Sequence, residues 1–221
     1  YIGHSFISYM FLSFVLVTIS NEIFKDFQAR FGTAAPWDDS TMLLANTICA
    51  IFSAIVGIFL GQWVDRKGAK QVLITGFFAG GINYMVFPFV SNFALFCVCL
   101  AIAHTAMLAF CQMTTHSLVT HWFNKKKGLA LGLAAIGIPA ANAVFPLLYR
   151  ALSGSDGANM QTALWFFGIL HFAMAVVSIF WVKNSPAEVG LTPDNLPVDT
   201  ENVSAGQDRS YKFSEVARTP K

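Results

Sequence analysis

The chain has 221 residues, of which 55% are apolar and 12% charged, with a formal net charge of +2. Soluble proteins carry about 25% charged residues, so too few charges are present to coat a water-facing surface, and lipid is the expected solvent. The small net charge, with no basic patch interleaved with aromatics, speaks against nucleic-acid binding.

A helix needs about 20 apolar residues to cross the hydrocarbon core, and six stretches qualify. The first, Phe6–Phe24, ends on Asn21, Glu22 and Lys25. Glu22 is a candidate external gate or proton acceptor; alternatively it is a membrane-edge carboxylate paired with Lys25. A polar connection over Lys25–Thr41 leads to the second span, Met42–Trp63, which carries Asn46. A basic loop, Val64–Lys70, leads to the third, Gln71–Val90, and only Ser91 and Asn92 separate that from the fourth, Phe93–Val119.

In the fourth span His104, Leu108, Gln112 and His116 recur every four residues, which puts three polar groups on an arc of roughly 120° of an α-helix. Polar side chains in hydrocarbon face a cavity or another helix. Two readings stay open. Gln112 and His104 could bind a solute, with His104 carrying a coupled proton, or each histidine is neutral and bonded to a neighbouring helix; His116 lies near the basic mouth. The fifth span, Leu129–Tyr149, holds Pro139 and Pro146, which should bend it. Asn142, between them, is a further site candidate. The sixth, Ala163–Val182, contains His171, which like Asn46 and Asn83 is expected to bond across helices. After Lys183 the composition shifts to Pro, Asp, Asn, Ser and Thr, a solvated and weakly structured segment.

Basic residues orient the bundle. Eleven of the fourteen fall on one side: Arg66, Lys67, Lys70, Lys125, Lys126, Lys127, Lys183, Arg209, Lys212, Arg218 and Lys221. The other side holds Lys25, Arg30 and Arg150 among Glu22, Asp26, Asp38, Asp39 and Asp156. Both ends of the chain are therefore expected in the cytoplasm, with the Asn202-Val203-Ser204 sequon unmodified. Cys49, Cys97, Cys99 and Cys111 sit in apolar runs as packing residues, and neither a disulfide framework nor a metal site is expected. Gly57/Gly61, Gly76/Gly80 and Gly128/Gly132 are small-xxx-small pairs that would let helix backbones approach closely.

The junction between spans two and three reads Gly61-Gln62-Trp63-Val64-Asp65-Arg66-Lys67-Gly68-Ala69-Lys70. Gly61 would permit close helix contact, Gly68 a turn just after the charged pair, and Asp65 could meet an arginine or the positive N-terminus of another helix. A contact of that kind can lock one conformation and break in the other; otherwise this is an ordinary basic loop closed by a glycine turn. The segment resembles motif A of the major facilitator superfamily, from which it departs at Trp63 and Ala69. Trp122-Phe123-Asn124-Lys125-Lys126-Lys127-Gly128-Leu129-Ala130-Leu131-Gly132 is similar to the span-four-to-five junction of the oxalate/formate antiporter and monocarboxylate transporter branch. Pro186-Ala187-Glu188-Val189-Gly190-Leu191-Thr192-Pro193-Asp194 is similar to that branch's segment after the sixth span, whereas Gly137-Ile138-Pro139-Ala140-Ala141 lacks glycines usual there.

The resemblance implies an all-α membrane protein whose six helices form the first half of a twelve-helix fold, with substrate held between the halves and access alternating by rocking. It divides the chain into a transmembrane domain, 1–183, and a central cytoplasmic loop, 184–221, cut before a seventh span. Because the chain starts at Tyr1 without an initiator methionine, it is expected to be a fragment, and no signal peptide is expected. The gating motif would be Gly61, Asp65, Arg66, Gly68 and Lys70. The leading expectation is secondary transport of a small organic anion, a mono- or dicarboxylate, by proton symport or exchange, in the cell membrane. Transport of a neutral or drug-like solute is the alternative, and a multispanning protein without transport activity a remote one. No catalytic residue, metal or cofactor is expected: no nucleotide-binding loop is present, and His116 and His121 are about 140° apart on a helix, unlike a histidine box. Partners are the bilayer, the solute with or without protons, and a C-terminal six-helix half beyond this chain.

Overall fold

The computed structural model describes residues 15–154 and 157–193, and among these every regular element is helical. Helix α1 spans Val15–Phe31. It outruns the expected end at Phe24, because neither glycine nor proline interrupts the chain before Gly32, whose φ is +88°. The residues ahead of Val15 lie outside the described part, as does everything from Asp194 onward.

Helix α2, Asp39–Lys67, starts where the Asp38 carboxylate accepts from Thr41 N at 3.1 Å and stops at Gly68. Its 29 residues at about 1.5 Å each exceed the roughly 30 Å of hydrocarbon. Helix α3, Ala69–Phe89, ends in a 3-10 turn containing Pro88. Helix α4, Phe93–Trp122, is capped by Asn92 Oδ1, which accepts from Leu95 N at 2.8 Å, and contains a π-helical segment at Leu108–Met113. Helix α5, Lys127–Ser153, is interrupted at Ile136 because Pro139 has no N–H to donate to Ala135. Helix α6, Met160–Trp181, is followed by a 3-10 turn at Pro186–Val189. Helices α2 to α6 are each long and apolar enough to cross a membrane.

The burial pattern inverts that of a soluble bundle. On α2, Leu43, Leu44, Ile48, Ile51, Phe52, Ile55, Ile58 and Phe59 are exposed, while the smaller Ala45, Cys49, Ser53 and Gly57 face inward. Outward bulk and inward small residues are what lipid as solvent requires, since helix association there rests on close packing. The chain is an all-α membrane protein.

The glycine pairs behave unequally. A Cβ on Gly76 would lie 3.1 Å from Phe110 N, and one on Gly80 3.1 Å from His171 Cδ2, so α3 packs tightly on both α4 and α6. A Cβ on Gly57 would meet Leu108 at 2.7 Å. Gly61, Gly128 and Gly132 have no such neighbour within 4 Å, which corrects the expectation of close contact there for this set of six helices.

Residues 32–38, 90–92, 154 and 157–159 share one end of the bundle, here called the Trp37 end. Trp37 stacks on Phe31 and Phe27, with Phe93 and Phe96 edge-on, and Arg30 donates to Pro88 O at 2.8 Å. The opposite, Gly68 end carries Gly68, residues 123–126 and the exit from α6.

Candidate functional site

Spacing i, i+3, i+4 puts Glu22, Lys25 and Asp26 on one face of α1. Opposite them, near the last turn of α5, stand Tyr149 and Arg150. Arg150 Nη1 donates to Asp26 Oδ1 at 2.6 Å, its Nε donates to Glu22 Oε2, and its Nη2 reaches Glu22 O at 3.2 Å. Tyr149 OH donates to Asp26 Oδ2 at 2.6 Å, and Lys25 Nζ to Glu22 Oε1 at 3.2 Å. The Asp26 side chain is 2% exposed, against 17% for Glu22 and 26% for Arg150. A buried carboxylate is tolerated only when its oxygens are fully engaged, and both of Asp26's are. Gly157, with φ of +66°, closes over this group: a Cβ there would lie 2.7 Å from Asp26 Cγ.

The expected Glu22–Lys25 pair is therefore present, but it is the outer edge of a larger cluster. Asp26 falls within the polar Lys25–Thr41 stretch and Arg150 just past the expected fifth span, yet both residues are helical. The available signal was two carboxylates one turn apart next to an apolar run, and an arginine one residue past another; charges at such positions are seldom idle.

The four polar candidates of the spans do not converge. His104 is half-buried, and its Nε2 donates to Asn46 Oδ1 on α2 at 2.9 Å. Gln112, His116 and Asn142 are exposed and make no side-chain hydrogen bond among the described residues. The π-helical segment inserts extra residue-width between His104 and His116, so a four-residue repeat no longer marks one continuous face. Asn83, Tyr84 and His171 lie buried where α3 meets α6. His171 Nδ1 donates to Phe167 O at 2.8 Å, while its Nε2, the Asn83 amide and Tyr84 OH have no hydrogen-bond partner among the described residues. Asn83 and His171 thus lack the side-chain bond across helices expected of them. A groove of 490 Å³ between α2, α3 and α4 is lined by apolar residues such as Phe52, Trp63 and Ile102 and contains none of the candidates. Among the described residues, no three histidine, cysteine or carboxylate side chains converge as metal ligands would.

At the Gly68 end the exit from α6 is tied down. Lys70 Nζ donates to Ile179 O at 2.7 Å, Lys70 N to Asn184 Oδ1 at 2.8 Å, and Trp122 Nε1 to Lys183 O at 3.1 Å. Lys70 Nζ thus satisfies a carbonyl that the end of α6 would otherwise leave open, and Asn184 Oδ1 takes up an N–H that the start of α3 would leave open. Gly68 has φ of +85°, a conformation that favours glycine, and a Cβ there would fall 2.6 Å from Asn184 Oδ1 and displace that side chain. Asp65 and Arg66 are exposed, and Asp65 makes no ion pair or hydrogen bond among the described residues.

Residues 3–208 match the family described as the Major Facilitator Superfamily. The chain belongs to that superfamily. Curated relatives share modest identity with this member: an MFS-type transporter of Aspergillus terreus, 26% over 58% of this chain and 43% of its own length; the riboflavin transporter of Saccharomyces cerevisiae, 27% over 69% and 28%; and monocarboxylate transporter 14 of Mus musculus, 22% over 69% and 30%. The chain thus spans well under half the length of these superfamily proteins. No solved structure matches it at the same level of significance.

Proposed function

We propose that this chain is the first six-helix half of a major facilitator transporter that moves a small organic anion, a mono- or dicarboxylate, by alternating access with proton symport or exchange. The observation that carries the reading is Asp65. It is an exposed carboxylate within the last turn of α2, where the helix dipole disfavours negative charge, and it has no partner among the described residues. A second half, completing a twelve-helix protein, would supply that partner in one state and withdraw it in the other. Residues 1–183 would form the transmembrane domain and 184–221 the loop toward that half.

The Gly68 end, which carries the basic residues, would face the cytoplasm and the Trp37 end the outside. Unpartnered glycines on α5, Gly128 and Gly132, suit a face that meets another helix in the complete transporter. His104, Gln112, His116 and Asn142 would lie along the cavity between the halves, with Glu22 and Lys25 at its outer edge. The carboxylate reading is supported by the junction over Trp122–Gly132 and by a relative named as a monocarboxylate transporter. The relative named as a riboflavin transporter favours the alternative of a larger neutral solute.

The test is uptake by the transporter complete with its second half in proteoliposomes, screened over pyruvate, succinate, sugars, amines and riboflavin. Saturable uptake of a carboxylate is expected. Uptake confined to riboflavin or sugars would replace the anion reading by the neutral-solute one.

A further inference from the structure

The 490 Å³ groove between α2, α3 and α4 is a slot one leaflet deep. Its α2 wall is the stripe Phe52, Val56, Leu60 and Trp63, which rises roughly 16 Å at 1.5 Å per residue. That is about half of the ~30 Å hydrocarbon core, and the Trp63 end of the stripe is the one toward Gly68. The groove's volume over that length gives a mean cross-section of about 30 Å², room for a single extended chain and far less than a helix about 10 Å across needs. Gly76, Ala79 and Ala106 provide the space by being small. Both hydroxyls on the walls are turned to their own helices: Thr75 Oγ1 donates to Gln71 O at 3.0 Å and Thr105 Oγ1 to Ala101 O at 2.8 Å.

The Trp63 end has a different chemistry. At roughly 100° per residue, Lys67 continues the α2 stripe one turn on, Arg66 lies at its edge, and Asp65 falls on the opposite face. On α3, Gln71, Thr75 and Ala79 are spaced by four, so Gln71 carries that wall to the same end. Lys67 and Gln71 are exposed, and their side chains make no hydrogen bond or ion pair among the described residues. Lys70, by contrast, already donates to Ile179 O.

We propose that the groove holds one acyl chain of an anionic phospholipid from the leaflet at the Gly68 end, with the lipid phosphate on Lys67 and Gln71. The slot selects a single apolar chain by its width, depth and lack of free hydroxyl donors. The ammonium of Lys67 gives phosphate a charge-assisted hydrogen bond, the Gln71 amide adds a neutral one, and Trp63 sits where chain gives way to headgroup, as indole rings do. Net negative charge adds the attraction that basic residues beside a span exert on anionic lipid. A zwitterionic lipid has the same chain but brings its own cation to the phosphate, so it competes poorly for Lys67. The site is independent of which solute the transporter moves.

The test uses phosphatidylglycerol with a photoreactive diazirine in its acyl chain, as a minor component of phosphatidylcholine nanodiscs holding the complete transporter. Irradiation and residue-level peptide mapping read where the chain lies. Adducts on Val98, Ala101 and Ile102 are expected to be at least fivefold more abundant than with phosphatidylcholine carrying the same group. Lys67→Gln should remove most of that preference, whereas Lys126→Gln, in the connection before α5, should keep it. Ala79→Phe, which fills the slot, should lower groove adducts of both lipids at least fivefold while those on the outward Ile169 and Phe180 of α6 persist. Equal groove labelling by the two lipids would overturn the site. Labelling confined to outward residues would overturn it as well, by showing that the rest of the transporter closes the groove. Should Lys67→Gln not reach the membrane, the wild-type ratio and Ala79→Phe decide by the same criteria.

Discussion

Replacing Gly68 by alanine should loosen the Gly68 end of the bundle while leaving the spans intact. Its φ of 85° and ψ of 158° fall in a region populated almost only by glycine, and a non-glycine residue there costs about 1–3 kcal/mol. The new Cβ would also fall within 2.8 Å of three Asn184 side-chain atoms. Asn184 would have to swing away, giving up the bond from Lys70 N, a further loss of about 1 kcal/mol. The sum, about 2–4 kcal/mol, corresponds to a fall in melting temperature of roughly 4–16 °C for a chain of this size. Gly61→Ala is the internal control. Gly61 is helical with no neighbour within 4 Å of its would-be Cβ, so alanine should hold or slightly raise the melting temperature. Thermal melts of the detergent-purified chain read both. A Gly68→Ala protein melting with the wild type would refute the account of the turn. If Gly61 instead serves a contact with a second half, Gly61→Ala should leave the melt intact and slow transport in the complete protein.

Asp65→Asn should reduce turnover of the complete transporter several-fold at near-normal abundance, measured as uptake per molecule in the membrane; unchanged turnover would remove Asp65 from gating. His104→Gln keeps a donor for Asn46 Oδ1 but loses the titrating ring, so a coupling role predicts a flattened pH dependence of uptake, whereas a packing role predicts a profile merely scaled down. Asp38 is held down to about 2 from an ordinary value of 3.8 by hydrogen bonds from Ser40 and Thr41. A lowered carboxylate stabilises the fold above its unfolded value and loses that contribution as pH falls through its folded value. The melting-temperature gap between wild type and Asp38→Asn should therefore shrink between about pH 4 and 2; a constant gap would place the effect elsewhere.

What was legible in the sequence depended on the range of the interaction. Apolar run length located the helices, because a span is set by hydrocarbon thickness and little else. The helix start after Asn92 was legible, because a local residue decides it, whereas the ends of α2 at Asp38 and Gly68 lie beyond the expected Met42–Trp63, where polarity stood in for geometry. Lys25, Asp26 and Arg30 are polar yet helical, since α1 continues to Gly32. The α4 stripe failed for a different reason. A four-residue repeat assumes an unbroken α-helix, and no residue type announces a π-helical segment; Leu108–Met113 departs from α geometry where it packs against Gly57 and Gly76. Clusters between distant elements were the least legible. Glu22 and Arg150 are 128 positions apart, and only the packing of α1 on α5 brings them together.

The two ends of the bundle are fastened by different physics. At the Gly68 end the ties run from Lys70 and Trp122 to backbone carbonyls and from Asn184 to a backbone N–H. Carbonyl acceptors do not titrate, so these contacts persist across the physiological pH range and join α3, α4 and the exit from α6 as one unit. At the Trp37 end α1 is tied to α5 through the carboxylates of Glu22 and Asp26. Removing the Glu22 charge would leave Arg150 held by Asp26 and Tyr149 unmoved, because Asp26 is enclosed and Glu22 is not. The coupling of α1 to α5 is thus graded, with a fixed inner contact and an exchangeable outer one. Of the two contacts that join α5 to α1, the bond from Arg150 to Glu22 is therefore the more open to exchange.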